Sequence, residues 1–164
     1  MKVVVISGYF NPIHTGHLDY IKAASKLGDK LVVIVNNDEQ VKLKGSVPFQ
    51  DEEERKKIVS NIKGVDHAVI SIDKDATVCE SLRQEYYNYC NDYFFDSMIF
   101  CNGGDRKEGG VPEDLLEQRL GIRMIYTIGG AKTQSSSTLL KGIKDGCFLL
   151  GMYRRIIWTA VRTS

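Results

Sequence analysis

The alternation of short apolar runs with helical patterns constrains the fold of this chain more than any other feature. Residues 3–6 and 31–35 are rich in β-branched side chains, as is typical of strands that a parallel sheet buries on both faces. Between these runs, apolar residues recur at helical spacing from Leu18 to Leu27, and Gly28 marks the end of that helix. This part of the chain therefore predicts a strand, a helix and a second strand.

The same alternation continues along the chain. Further strands are predicted over residues 67–72, 97–101 and 124–128, and further helices over residues 51–64, 77–93 and 115–120. A polar loop is predicted after residue 38, and a Gly/Ser-rich loop over 129–137 leads into a last helix from Thr138. We therefore predict an α/β fold: a Rossmann-like, open, mainly parallel five-stranded sheet with helices on both faces. Residues 1–146 would form one domain, and residues 147–164 a tail or helix for docking or for a subunit contact.

Composition excludes several classes of protein. The 164 residues fit one domain, and a formal net charge of +1 gives no field that would attract nucleic acid or a membrane surface. No signal peptide or long uncharged apolar stretch is visible, so we expect a cytoplasmic protein. The four cysteines are scattered without a CxxC pair, which indicates neither a zinc site nor a disulfide framework. Any anionic ligand must then be held by local groups.

The loop between the first strand and the first helix carries the strongest chemical signal. In parallel sheets, ligands bind beyond the carboxyl ends of the strands, and a helix start offers unpaired N–H groups to an anion. His14 and His17 lie three residues apart there, with Gly16 between them and Gly8 before them. Two imidazoles aimed at one α-phosphate could stabilise the charge that develops during phosphoryl-type transfer.

Three other interpretations of this loop remain open from the residues alone. Two nearby histidines are more often structural or exposed than catalytic. A zinc site is conceivable, but no third ligand stands at a telling spacing. A dehydrogenase is disfavoured because the loop lacks GxGxxG.

Residues 8–17, with the sequence GYFNPIHTGH, resemble the G-x-F-D-x-x-H-x-G-H signature of the cytidylyltransferase-like nucleotidylyltransferases. Residues 26–33, 35–38, 42–45 and 102–105 are similar to the bacterial heptose-phosphate adenylyltransferases, and glycerol-3-phosphate cytidylyltransferase is a more distant look-alike. The resemblance covers roughly residues 2–145. Asn11 departs from it, since the signature usually has Asp there, and Lys132 stands where many cytidylyltransferases have Arg. Arg106 and the four residues after it also depart from the pattern.

The resemblance implies a role for each of several residues. The catalytic groups would be His14, His17 and Lys44. The nucleotide-binding groups would be Gly8, Tyr9, Phe10, Asn11, Gly16, Asp105, Lys132, Ser135, Ser136, Ser137 and Thr138. The acceptor side would be bound by Asn37, Asp38 and Arg55, the last of which supports either the acceptor or the fold.

Each of these roles has a structural alternative. Lys44 is then a solvated loop lysine, and Arg55 forms an i,i+4 pair with Asp51. Asp105 is a turn residue, and the serine run caps a helix.

The reaction that the resemblance implies joins a nucleoside triphosphate to a phosphorylated small molecule and releases pyrophosphate. We expect ATP first and CTP next. The expected acceptor is a sugar or polyol phosphate, with a vitamin or cofactor phosphate behind it. Mg²⁺ would accompany the triphosphate without a dedicated protein site. A homodimer is expected, because the apolar tail offers contact surface. The alternative outside catalysis is a module that holds a nucleotide without turning it over.

Overall fold

Five parallel strands form one sheet in the part of the chain that the structure describes. This computed structural model describes residues 1–103 and 110–129. The strands are β1 (Lys2–Gly8), β2 (Lys30–Val35), β3 (His67–Ile70), β4 (Ser97–Gly103) and β5 (Arg123–Ile128). The helices are α1 (Thr15–Ala24), α2 (Asp38–Leu43), α3 (Glu52–Ser60), α4 (Cys79–Cys90) and α5 (Asp114–Leu120).

The strand order is β3-β2-β1-β4-β5. From β1 the chain adds β2 and β3 on one side of the sheet, and then β4 and β5 on the other side. The central strand pairs with β2 through Val4 and Leu31, and with β4 through Val4 and Ile99. The first crossovers move outward to β3, whereas β4 returns to the other side of β1. A doubly wound sheet opens a crevice at such a switch point, at the carboxyl ends of the strands.

Helices cover both faces of the sheet, as the sequence predicts. Val4 and Ile6 of β1 face one apolar cluster, which includes Ile21 of α1 and Val59 of α3. Val3 and Val5 face the opposite cluster, to which α4 and α5 contribute Leu82 and Leu116. Because alternate residues of a strand point to opposite faces, a β-branched run such as β1 is buried on both sides.

Helix α2 lies where a polar loop was predicted, so that prediction was wrong. Its N-cap is Asn37, which accepts a hydrogen bond from the Gln40 backbone, and the Gln40 side chain accepts one in return from the Asn37 backbone. This capping box stabilises six residues that bury only Gln40 and Val41. A helix with so few buried positions has no apolar periodicity, although the Asn-x-x-Gln spacing was visible.

The remaining elements lie within a few residues of their predicted positions. The largest differences concern α3 and α4, which are both shorter than predicted. Past Ser60 the chain continues in tighter turns, with the Ile62 N–H donating to the Val59 carbonyl. No helix among the described residues is long and apolar enough to cross a membrane. The predicted site residues Asp105, Lys132, Ser135, Ser136, Ser137 and Thr138 and the tail 147–164 lie outside the described residues.

A buried carboxyl on α4 should make stability depend on pH. Burial raises the pKa of Glu85, although nearby His67 and a hydrogen bond from Asn88 oppose this shift. With a raised pKa in the folded state, ionisation of Glu85 costs stability as the pH rises through that window. We therefore expect Glu85→Gln to be more stable than the parent near neutral pH, and this advantage to vanish below about pH 4.

Urea unfolding across this pH range measures the difference. Glu54→Gln is the control, because Glu54 is exposed on α3 and its replacement should change little. A Glu85→Gln protein that is no more stable than the parent near neutral pH would contradict the explanation.

Candidate functional site

The loop between β1 and α1 lies at the switch point of the sheet. It leaves β1 after Gly8 and ends at His14, the N-cap of α1. The neighbouring strand β4 ends beside it, since Ile6 pairs with Cys101, and the buried Asn102 follows at once. The crevice is therefore bordered by the loop, by the start of α1 and by the end of β4.

His14 and His17 stack at the start of α1. Their ring centroids are 3.8 Å apart and their planes meet at 24°. His14 has an extended backbone (φ −149°, ψ 171°), which places its side chain back over the first turn of the helix. Both residues are partly buried. The two rings thus lie face to face at the helix start, which also offers N–H groups that suit an anion.

A backbone hydrogen bond sets which ring nitrogen of His17 carries the proton. The His14 N–H donates to Nδ1 of His17 at 3.2 Å. Because Nδ1 uses its lone pair to accept this bond, the proton of the neutral imidazole lies on Nε2. His17 therefore has a donor at the far end of its ring.

The packing of the loop leaves no room for a side chain at its two glycines, Gly8 and Gly16. A Cβ atom at Gly16 would lie 3.1 Å from Nδ1 of His14, inside the space that the stacked ring needs. A Cβ atom at Gly8 would lie 2.9 Å from the ring of Phe10. That ring is buried and packs at 4.8 Å from the ring of His17. Phe10 itself has a positive φ of 48°, a conformation that costs a non-glycine residue energy and that its buried ring holds in place.

Lys44 reaches the same loop from the end of α2. It is the C-cap of that helix, and its ammonium lies 4.3 Å from the centroid of the Tyr9 ring. This distance is within the range of a cation–π interaction. Lys44 is otherwise exposed, so its charge stands beside Tyr9 with access to solvent. Tyr9 belongs to the loop that carries both histidines, residues 9–17, which we call the histidine turn.

Asn11 is buried and binds the segment that follows Lys44. Its side-chain amide donates to the Val47 carbonyl at 2.9 Å and accepts from the Phe49 N–H at 2.6 Å. The described geometry thus uses Asn11 to connect two loops.

Arg55 lies under the site, with only 1% of its surface exposed. Its guanidinium donates to the carbonyls of Tyr9 and Asn36 at 2.7 Å each, and to that of Gln50 at 3.1 Å. It also forms an ion pair with Asp38 at 2.6 Å. The structural alternative paired Arg55 with Asp51, whereas the ion pair of Arg55 is with Asp38. Of the two roles considered for Arg55, this arrangement favours support of the fold.

Asn37 and Gln40 hold the neighbouring loop after β3. The Asn37 amide donates to the carbonyls of Ser71 and Asp73, both at 2.9 Å. Gln40 is fully buried and donates to the carbonyls of Asp75 and Thr77. Gln40 is not among the residues predicted from the sequence, although the capping-box spacing was a usable signal for it.

The structure therefore divides the predicted site residues into three groups. One group meets around the histidine turn: Gly8, Tyr9, Phe10, Asn11, His14, Gly16, His17 and Lys44. The side chains of a second group connect strand ends and loops by hydrogen bonds and an ion pair; this group is Asn37, Asp38 and Arg55. The third group lies outside the described residues and consists of Asp105, Lys132, Ser135, Ser136, Ser137 and Thr138. Within the described part of the chain, no cluster of three or more His, Cys, Asp or Glu side chains is arranged to hold a metal ion.

The bonds of Arg55 predict a large loss of stability on its removal. Arg55→Met would leave three carbonyls and the Asp38 carboxylate without their donor, and we expect a loss of about 3 kcal/mol. Arg83→Met is the matched control, because Arg83 forms an exposed i,i+3 pair with Glu80 and should contribute little. Urea unfolding of both variants measures the difference, and equal losses would refute the structural role of Arg55.

Comparison with known proteins identifies the family. The sequence profile described as "Cytidylyltransferase-like" matches residues 5–141. An FAD synthase from Thermoplasma acidophilum is 43% identical over 75 residues, which are 46% of this chain and 53% of that protein. The "Bifunctional protein HldE" of Desulfatibacillum aliphaticivorans is 30% identical over 148 residues, which are 88% of this chain and 27% of that protein.

A solved structure has the same fold over most of the chain. It is a lipopolysaccharide core biosynthesis protein from Thermoplasma volcanium, with 26% identity and a TM-score of 0.59. The superposition covers 77% of this chain and 96% of that one. By contrast, the chain spans only about half the length of the FAD synthases that it matches. The profile match covers well over half of the chain, which therefore belongs to the cytidylyltransferase-like family.

Proposed function

We propose that this chain is a nucleotidylyltransferase, which transfers a nucleoside monophosphate from a nucleoside triphosphate to a phosphorylated small molecule. The observation that carries the proposal is the stacked pair of His14 and His17 at the start of α1, beside the switch point of the sheet. Phosphoryl-type transfer needs positioning and charge stabilisation more than it needs a nucleophilic side chain. A pair of imidazoles at a helix start meets that need.

In the proposed reaction, an oxygen of the acceptor phosphate attacks the α-phosphorus of the triphosphate. The bond between that phosphorus and the bridging oxygen breaks in line, and pyrophosphate leaves with the electron pair. Negative charge then develops on the equatorial and bridging oxygens. Nε2 of His17 donates to one of these oxygens, since its Nδ1 is occupied by the His14 N–H. Lys44 neutralises charge from the side of Tyr9.

Mg²⁺ would be held mainly by the substrate in this proposal. The described residues around the histidine pair are imidazoles, amides and a lysine, and the nearby Asp38 carboxylate is bound to Arg55. Mg²⁺ prefers oxygen ligands and retains several waters, so phosphate oxygens and water would complete its shell. The ion would neutralise part of the triphosphate charge.

The relatives favour ATP as the nucleotide. FAD contains an adenylyl group joined to a flavin phosphate, and several relatives are named FAD synthases. Their name also supports a flavin phosphate as a candidate acceptor, whereas the name of the lipopolysaccharide protein supports a sugar phosphate. The runner-up is a CTP-dependent enzyme that acts on a polyol phosphate such as glycerol-3-phosphate.

A screen for pyrophosphate release tests the proposal and identifies both substrates. ATP and CTP are each combined with sugar phosphates, glycerol-3-phosphate and flavin mononucleotide, in the presence of Mg²⁺. We expect release with one nucleotide and one class of acceptor, most of all with ATP. Binding of a nucleotide without release across the screen would favour a module that only holds the nucleotide.

Removal of one histidine should abolish most of the turnover. We expect His17→Ala to lower kcat by roughly a hundredfold or more, the scale for loss of one preorganised donor in the transition state. His67→Ala is the control, since His67 is the third histidine and lies exposed at the start of β3. Turnover in His17→Ala equal to that of the His67→Ala control would remove His17 from the mechanism.

A further inference from the structure

We infer that Asn11 is a positioning residue that fixes residues 44–50, and with them Lys44, against the histidine turn before any substrate binds. The inference deepens the proposed function and rests on it for its catalytic consequence. It concerns the position at which this chain departs from the Asp of the family signature.

Both ends of the Asn11 amide are used by the same segment. Nδ2 donates to the Val47 carbonyl at 2.9 Å, and Oδ1 accepts from the Phe49 N–H at 2.6 Å. Asn11 is 4% exposed, so water competes little for these bonds. The side chains of Val47 and Phe49 are in contrast mostly exposed, at 69% and 57%. Main-chain bonds to Asn11 therefore contribute much of what holds this segment.

Two further contacts attach the ends of the segment to the same turn. At its start, the Lys44 ammonium lies 4.3 Å from the ring of Tyr9. At its end, Nε of Arg55 donates to the Gln50 carbonyl, while the same guanidinium binds the Tyr9 carbonyl. Between these ends, the side-chain amide of Asn11 binds the main chain of Val47 and Phe49. All three sets of contacts involve residues 9–11.

An aspartate at this position could not make the same connection. A carboxylate accepts hydrogen bonds but donates none, so it could keep the bond from the Phe49 N–H only. The Val47 carbonyl would lose its donor and would face a negative charge. An asparagine donates and accepts at once, which is the pair of functions that a carbonyl and an N–H two residues apart require.

The catalytic consequence follows from preorganisation. A lysine that is already in place costs no rearrangement when charge develops in the transition state. Loss of the Asn11 connection should therefore lower kcat more than it raises KM, because the substrates still bind but Lys44 is less often in position.

Hydrogen–deuterium exchange on the whole chain tests the connection without any assay of activity. In Asn11→Asp we expect the amides of residues 44–47 to exchange at least about tenfold faster than in the parent, while those of β2 keep their protection. Asn61→Ala is the matched control, because it also removes one hydrogen bond from a side-chain amide to a carbonyl, at the exposed C-cap of α3. Unchanged exchange over residues 44–47 in Asn11→Asp would overturn the inference.

A second pair of variants covers the case in which Asn11→Asp does not fold. Phe49→Pro removes the N–H that donates to Asn11, whereas Phe49→Ala removes the same ring but keeps the N–H. Because Phe49 is exposed, neither change disturbs the core. Faster exchange at residues 44–47 in Phe49→Pro than in Phe49→Ala supports the connection, and equal exchange refutes it.

Kinetics with Lys44 test the catalytic consequence separately. We expect Asn11→Asp to lower kcat about tenfold in the parent, and to have little further effect in a Lys44→Ala background. Additive losses would show that Asn11 does not act through Lys44. If the parent releases no pyrophosphate with any substrate pair, the proposed function fails, and the exchange experiments still decide whether Asn11 holds the segment.

Discussion

Arg55 donates hydrogen bonds to groups on four segments of the chain, and the geometry of the site depends on this one side chain. Its guanidinium reaches the carbonyls of Tyr9, Asn36 and Gln50 and the carboxylate of Asp38. These groups follow β1, follow β2, precede α3 and begin α2. A planar group with five donors in a fixed fork suits this task, which a lysine could not perform. Arg55 thus supports the loop that carries the histidines.

The side chains of the site are held in place in two different ways. His14 and His17 are fixed by local structure, because a helix cap, a glycine and one backbone hydrogen bond determine their stacking. Lys44 is fixed by contacts between loops that are distant in sequence, through Tyr9 and through the segment that Asn11 holds. The first kind of placement needs only a short motif, whereas the second requires the whole sheet edge. The proposed nucleotidylyltransferase site therefore depends on both.

Sequence patterns were sufficient for the strands and for most helices, because burial on two sheet faces or on one helix face leaves a period in the sequence. They failed at α2, whose stability comes from its capping box and not from an apolar face. The resemblance gave Asn37, Asp38 and Arg55 to the acceptor side, with support of the fold as the alternative for Arg55, because exposed and buried polar residues look alike in a sequence. Burial of Arg55 beneath three carbonyls is visible only once the strand ends are adjacent.

The sequence by itself determined the alternating α/β architecture, the place of the first crossover loop and the His-x-Gly-His spacing at a helix start. These features are local or periodic, so neighbouring residues specify them. The stacking of the two imidazoles and the bond from His14 to Nδ1 of His17 belong to the same local motif. Only the tertiary structure decided that Asn11 binds residues 47 and 49. Hydrogen bonds across 36 and 38 residues have no signature in sequence, because their partners meet only after β1 and β2 have paired.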